Sequence, residues 1–346
     1  MIAALRSLFL ASAMMSAAGA GAETSHEVLS FDQLDGWAAD DHQAALSAFL
    51  ITCMDMDDPD WSALCAVAQS QKPENARAFF ELFFRPVLIR DGKDPLFTGY
   101  FEPELDGSRY PTDRFRYPLY KQPRESRAKG AWLSRREILT TDVMKNRGLE
   151  IAWVDDPVEL FFLQIQGSGR IRLQNGRTLR VGYGGANGQP YRSIGVEMVR
   201  RGIYNAHQVS AQVIKNWVRR NPVAGQELLF HNPSYVFFRE IRHIKDRDGP
   251  LGAMNRPIST LRTVAVDPAY TTLGSPVWLE KDGADPMRRL MIAQDTGSAI
   301  KGAQRADIFY GTGDAAGQAA GRLRDPGRMM VLMPIQRAYA LLPEGM

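Results

Sequence analysis

Apolar residues in the first ninety positions recur at helical spacing. Segments 42–54, 61–69 and 75–89 each carry an apolar stripe, the last through Ala76, Phe79, Phe80, Leu82 and Phe83. This predicts three helices, with Asp60 as the N-cap ahead of Trp61. From Leu96 the texture changes to short runs rich in Phe, Tyr, Val, Ile and Leu, at 96–101, 158–166, 170–173 and 179–183. Gly and Pro punctuate these runs. That is a strand signature, with turns at Asp106-Gly107, Gly167-Ser168-Gly169 and Asn175-Gly176. Asn175-Gly176 predicts a type I′ hairpin, which needs positive φ at both central residues. A helical interval covers 193–219, strands return beyond Ser234, and a further helix opens at Asp314, its predicted N-cap. Strands on both sides of a mixed middle predict one domain built from both chain ends, with another inserted into it.

Composition narrows the class. The chain has 346 residues, 45% hydrophobic and 23% charged, as in an ordinary globular protein with room for two cores. A net charge of +3 is too small to imply nucleic acid, and only weakly favours an anionic polymer. Arg6 precedes a short apolar run that ends in small residues at Ala20-Gly21-Ala22, which predicts a secretory signal over residues 1–22. No cysteine follows that run, so a lipid anchor is not expected, and no later stretch is long and apolar enough to span a bilayer. The expectation is an exported, soluble protein. In an oxidising compartment Cys53 and Cys65 are either a disulfide closing a short loop or two buried thiols. Between Arg109 and Arg136 lie nine Lys or Arg residues against two acids, Asp113 and Glu125; this is either a surface for an anionic polymer or a solvated loop.

Several chemistries can be set aside. Five scattered histidines with no His/Cys cluster predict neither a metal site nor a zinc enzyme, and no phosphate-cradling or dinucleotide loop predicts a cofactor. Three aspartates remain, in Val264-Ala265-Val266-Asp267-Pro268, Ala293-Gln294-Asp295-Thr296-Gly297 and Arg305-Ala306-Asp307-Ile308-Phe309. Carboxylates flanked by apolar, β-prone residues sit at a core edge, where desolvation raises the pKa toward that of a useful acid. Asp295-Thr296-Gly297 resembles an aspartic-peptidase turn, but no second such turn exists to share its proton. Asp267 before Pro268 reads equally as a turn former. Asp295 and Asp307 are separated by a turn at Lys301-Gly302, and a strand–turn–strand arrangement would bring both carboxylates to one end of a barrel.

The segments Gln294–Gly302 and Ala306–Gly311 are similar to the three-aspartate domain of the membrane-bound lytic murein transglycosylase A family. The likeness extends through Phe97-Thr98-Gly99-Tyr100-Phe101-Glu102-Pro103, Gln164-Ile165-Gln166-Gly167-Ser168-Gly169, Tyr191-Arg192-Ser193 and Asn232-Pro233-Ser234, and so covers the chain from about residue 95 onward. The resemblance implies a mainly β protein with flanking helices. A double-psi β-barrel would be built from 23–104 and 241–346, with a second β-barrel inserted over 105–240 and peptidoglycan glycan strands lying between them. It implies cleavage of the β-1,4 bond from N-acetylmuramic acid to N-acetylglucosamine without water, which leaves a 1,6-anhydro end. Asp307 would then be the single acid and base, supported by Asp295 and more weakly by Asp267. Lys301 is either an electrostatic aid or a surface residue. Tyr100, Gln166, Ser168, Tyr183, Asn187, Tyr191 and Arg192 would line the groove. Hydrolysis with a second carboxylate, or glycan binding without catalysis, are the competing expectations. The missing cysteine departs from the family's membrane attachment and points to a free periplasmic protein.

Overall fold

The computed structural model describes residues 24–128 and 130–341; the expected signal lies outside them. Nine strands form one sheet, in the spatial order Ser25–Val28, Phe84–Arg90, Gly327–Pro334, Pro276–Lys281, Met287–Thr296, Thr263–Val266, Arg305–Thr312, Leu96–Glu102 and Arg324–Asp325. Pro326 alone separates Arg324–Asp325 from Gly327–Pro334, so the chain brings this sheet round on itself. Two of its pairings are parallel, Thr263–Val266 with Met287–Thr296 and Arg305–Thr312 with Leu96–Glu102. The second joins strands from opposite ends of the chain. Alternation along the strands sends Phe97, Val264, Val266, Met291, Ala293, Ala306 and Ile308 into the barrel. Leu290, Ile292, Trp278 and Met330 face outward, onto the N-terminal helices.

Between these strands the chain builds a six-stranded sheet, ordered Tyr117–Tyr120, Glu150–Val154, Glu104–Ser108, Gly169–Leu173, Thr178–Ala186 and Val236–Ile241. Its edge strands approach one another, so this sheet also curls around its core, which includes Leu105, Leu119, Ile151, Leu163, Ile171 and Val181. Helices Ile194–Arg200, Ala211–Arg220 and Pro222–Phe230 pack beside it with Val158 and Phe161.

The structure corrects several local expectations. The helix expected over 75–89 ends at Phe83, and Phe84–Arg90 is a strand. Pro86 cannot continue a helix, and Val87 and Ile89 suit a strand. The run 158–166 is the helix Pro157–Gln166, not a strand. Its stop signals were present: Asp156 caps Val158 and Glu159, Pro157 opens the first turn, and Gly167 closes it with φ 78°. The helix buries Leu160 and Leu163 on one side and Val158 and Phe161 on another, so no clean stripe marks it. Asp58, not Asp60, caps Pro59–Ser70. Thr312 holds the N-cap position of Gly313–Ala320, leaving Asp314 in the first turn. Asp106-Gly107 lies within a strand, where a Cβ on Gly107 would stand 2.4 Å from Ile171. The Asn175-Gly176 hairpin is present, but only Gly176 has positive φ. Its Leu173–Gly176 and Leu173–Arg177 backbone bonds enclose a three-residue loop, not the two-residue type I′ turn. Cys53 and Cys65 form a disulfide between the first two helical segments.

Candidate active site

The barrel strands place the two carboxylates in register without making their strands neighbours. Asp307 lies opposite Ala265 in an antiparallel pair, and Ala265 lies opposite Asp295 in a parallel pair. The Thr263–Val266 strand therefore separates them, in place of the strand–turn–strand pairing expected from sequence. Thr98 continues the row beyond Asp307. Registered partners share a face, and Ala265 and Asp307 alternate with inward-facing neighbours, so the row lies on the outside of the barrel wall.

Asp295 reaches this face because of a β-bulge. Pairing with Thr263–Val266 jumps from Ala293 to Asp295 and skips Gln294. Without that extra residue the alternation would aim Asp295 inward, like Ala293. The displaced Gln294 is buried instead among the helices, donating to Ala48 O at 2.9 Å and to Thr52 at 3.1 Å.

Around the row lie Tyr100, Ile258, Ala265, Ile300 and Phe309, a small apolar cluster. It desolvates both acids while leaving each partly exposed. Burial pushes Asp295 up to about 6, against hydrogen bonds from Thr296 N, the Tyr100 hydroxyl and Ala253 N that favour its charged form. Those bonds measure 2.9, 2.9 and 3.1 Å and occupy both of its oxygens. Burial also raises Asp307, opposed by the Thr98 hydroxyl and the Arg305 charge. The Thr98 hydroxyl donates to Asp307 Oδ1 at 2.6 Å and accepts from Arg305 at 2.8 Å. Asp307 Oδ2 has no partner among the described residues.

Asp267 serves a different place. It accepts from Gly302 N at 3.0 Å and Ala269 N at 3.3 Å, and its 3.4 Å contact with Lys301 ties down the loop before Asp307. Lys301 itself is exposed. Of the expected groove residues, Tyr100 stands at the row, while Gln166 accepts from Phe101 N at 3.0 Å and links the helix Pro157–Gln166 to the barrel. Ser168, two residues on, is buried. Tyr183 is 57% exposed and Arg192 is exposed, whereas Tyr191 is partly buried. Asn187 does not face a groove. It is fully buried, and its amide joins Leu133 O, Pro233 O and Tyr235 N at 2.8–2.9 Å, so its side chain clamps three backbone segments. Sequence reading missed Thr98, Arg305 and Ala253, whose positions depend on strand register and loop packing.

The basic run from Arg109 to Arg136 divides among roles. Arg135 is buried between the Phe161 and Tyr235 rings, while Arg109, Arg114 and Arg136 pair with Glu240, Asp106 and Glu227. Arg116, Lys121, Arg124 and Arg127 remain exposed. Among the described residues no group of three His, Cys, Asp or Glu could hold a metal ion. A cavity of about 540 Å³ lined by Trp61, Ser275 and Arg337 contains none of the three aspartates.

Residues 96–239 match the MltA specific insert domain, and residues 262–333 match the 3D domain. Membrane-bound lytic murein transglycosylase A of Vibrio cholerae is 31% identical over 264 residues, 72% of this chain and 69% of that protein. The crystal structure of a membrane-bound lytic murein transglycosylase from Agrobacterium tumefaciens matches with a TM-score of 0.81 and 31% identity, covering 92% of this chain and all of that one. E. coli MltA with bound chitohexaose matches with a TM-score of 0.70 and 26% identity, covering 85% and 90%. The chain belongs to the membrane-bound lytic murein transglycosylase A family.

Proposed function

We propose that this protein is an exported, periplasmic lytic transglycosylase. It cleaves the β-1,4 bond between N-acetylmuramic acid and N-acetylglucosamine in peptidoglycan and leaves a 1,6-anhydromuramic end. The glycan lies between a barrel formed by 23–104 with 241–346 and the inserted unit 105–240. The substrate class rests on membership of the family, and on a structural neighbour whose bound ligand is a β-linked amino-sugar oligomer.

One observation carries the assignment of the catalyst. Asp307 is a desolvated carboxyl with one oxygen held by Thr98 and the other without a partner among the described residues. Desolvation favours the protonated form of the acid, and Oδ2 is placed to deliver the proton. That proton passes to the glycosidic oxygen as the muramic C1–O bond breaks. The resulting carboxylate then takes the proton of the muramic 6-hydroxyl as that oxygen closes on C1. Atoms balance without water, so one carboxyl suffices where hydrolysis uses two. Arg305 acts through Thr98: by donating to the Thr98 oxygen it directs the hydroxyl proton toward Asp307 Oδ1. Asp295 and Tyr100 position the sugar at the far end of the row, with Gln166, Tyr183, Tyr191 and Arg192 along the groove, while Asp267 fixes the loop.

A second reading is hydrolysis, because Asp295, with its pKa of about 6, is a base of useful strength at neutral pH. Comparing soluble products from purified peptidoglycan separates the roles. Asp307→Ala should lower release by about a thousandfold, in the range of lost acid–base catalysis. Asp295→Asn should retain a measurable fraction. Equal abolition by both variants would favour the two-carboxylate reaction. No release by folded wild type would leave glycan binding alone.

A further inference from the structure

The carboxylate row has a fifth member that carries the opposite charge. Arg324 lies opposite Thr98 in an antiparallel pair, on the short strand beyond Leu96–Glu102. Its neighbour Asp325 turns the other way, binding the fully buried Lys281 at 2.8 Å. Arg324 therefore shares the outer face with Thr98 and Asp307. It is exposed and has no carboxylate partner among the described residues. It is close enough to Arg305 for their charges to interact, yet Arg305 is occupied by Thr98 and by backbone carbonyls. The row thus reads Asp295, Ala265, Asp307, Thr98, Arg324, and the backbone of the unpaired arginine stands two strands, roughly 10 Å, from that of the proposed acid.

We propose that Arg324 binds a carboxylate carried on the 3-O-lactyl arm of the muramic acid being cleaved. This rests on the functional reading above. That sugar's C1 must sit at Asp307, and its C3 substituent is the anionic group nearest the bond. An arginine side chain bridges the remaining distance and can meet a carboxylate through two parallel hydrogen bonds. The contact would distinguish peptidoglycan from neutral N-acetylglucosamine polymers. The anion is either the lactyl carboxylate itself or a carboxylate of the peptide attached to it.

Binding, measured in the Asp307→Asn background so that strands stay intact, tests the idea. The probes are peptide-bearing glycan strands, strands stripped of peptide by an amidase (which exposes the lactyl carboxylate), and chitohexaose. Arg324→Gln should weaken binding of muramic strands about tenfold and leave chitohexaose unchanged, with Arg324→Lys between the two. Weakening on intact strands alone assigns the peptide carboxylate, weakening on stripped strands alone assigns the lactyl carboxylate, and weakening on both shows that Arg324 takes whichever carboxylate the arm carries. Unchanged binding of both muramic probes would overturn the proposal and leave Arg324 as a charged guard on an exposed strand edge. An equal loss on chitohexaose would overturn it as well. Strands bound but not cut by the unsubstituted protein would count against the lytic reading and leave this inference standing.

Discussion

At the scale of single residues, one hydroxyl, that of Thr98, orients Asp307. The Thr98 hydrogen bond lowers the Asp307 pKa against the larger effect of burial. Thr98→Val removes that bond, so the Asp307 pKa rises and the alkaline limb of the activity profile should move to higher pH. Activity at the optimum should fall by about tenfold as the carboxyl loses its orientation. A pH–rate profile reads both effects. Asp295 gives a stability test. Its folded pKa of about 6 exceeds the ordinary 3.8, so the folded state holds this proton more tightly than the unfolded chain. The associated stability is complete below the ordinary value and is lost as pH rises through about 6. Asp295→Asn should accordingly be more stable than wild type by about 2 kcal/mol near pH 8, with the advantage gone at low pH. Thermal unfolding at several pH values measures this. The flanking apolar residues made both aspartates legible as desolvated acids in the sequence. Thr98 and Arg305 were not legible as partners of Asp307, because Thr98 lies 209 positions away and parallel pairing alone unites them.

At the scale of elements, the bulge at Gln294 decides which way an acid points. Sequence alternation alone would bury Asp295 inside the barrel, and no residue in the segment announces the extra position. The loop that supports this bulge depends on Gly252. A Cβ there would stand 2.5 Å from Gln294 O, so only glycine lets the loop come near enough for Ala253 N to reach Asp295. Gly252→Ala should displace the loop, cost about 1–3 kcal/mol, and raise the Asp295 pKa by removing a bond that favours its charged form. Denaturant unfolding and carboxyl titration by NMR follow the two effects. The helix Pro157–Gln166 shows why strand propensity misled. Its Phe, Ile and Val residues suit a strand, but both sides of the helix are covered, which erases the helical period while leaving the capping residues intact. Those caps, Asp156 and Gly167, were the better guide.

At the scale of the molecule, the joint between the two sheets turns on Glu102. It is almost fully buried at the end of the Leu96–Glu102 strand, and it accepts from Arg170 at 2.8 Å and Arg180 at 3.0 Å on the inserted sheet. Thr312 of the barrel donates to the same carboxylate at 2.8 Å. Glu102→Ala would leave two guanidinium groups without their carboxylate and should cost about 3–5 kcal/mol. Calorimetry should show it, with a loss of activity at temperatures where the fold survives. The insertion of one sheet between the strands of another was legible as a change of texture along the chain, but the junction was not, because Glu102, Arg170 and Arg180 form a unit only after both sheets exist. The central proposal for the whole molecule is a glycosidic bond broken without water. Mass spectrometry of the soluble products released from purified peptidoglycan by wild type tests that most directly. Cleavage without water yields fragments ending in 1,6-anhydromuramic acid; fragments with reducing muramic ends, each one water heavier, would contradict it.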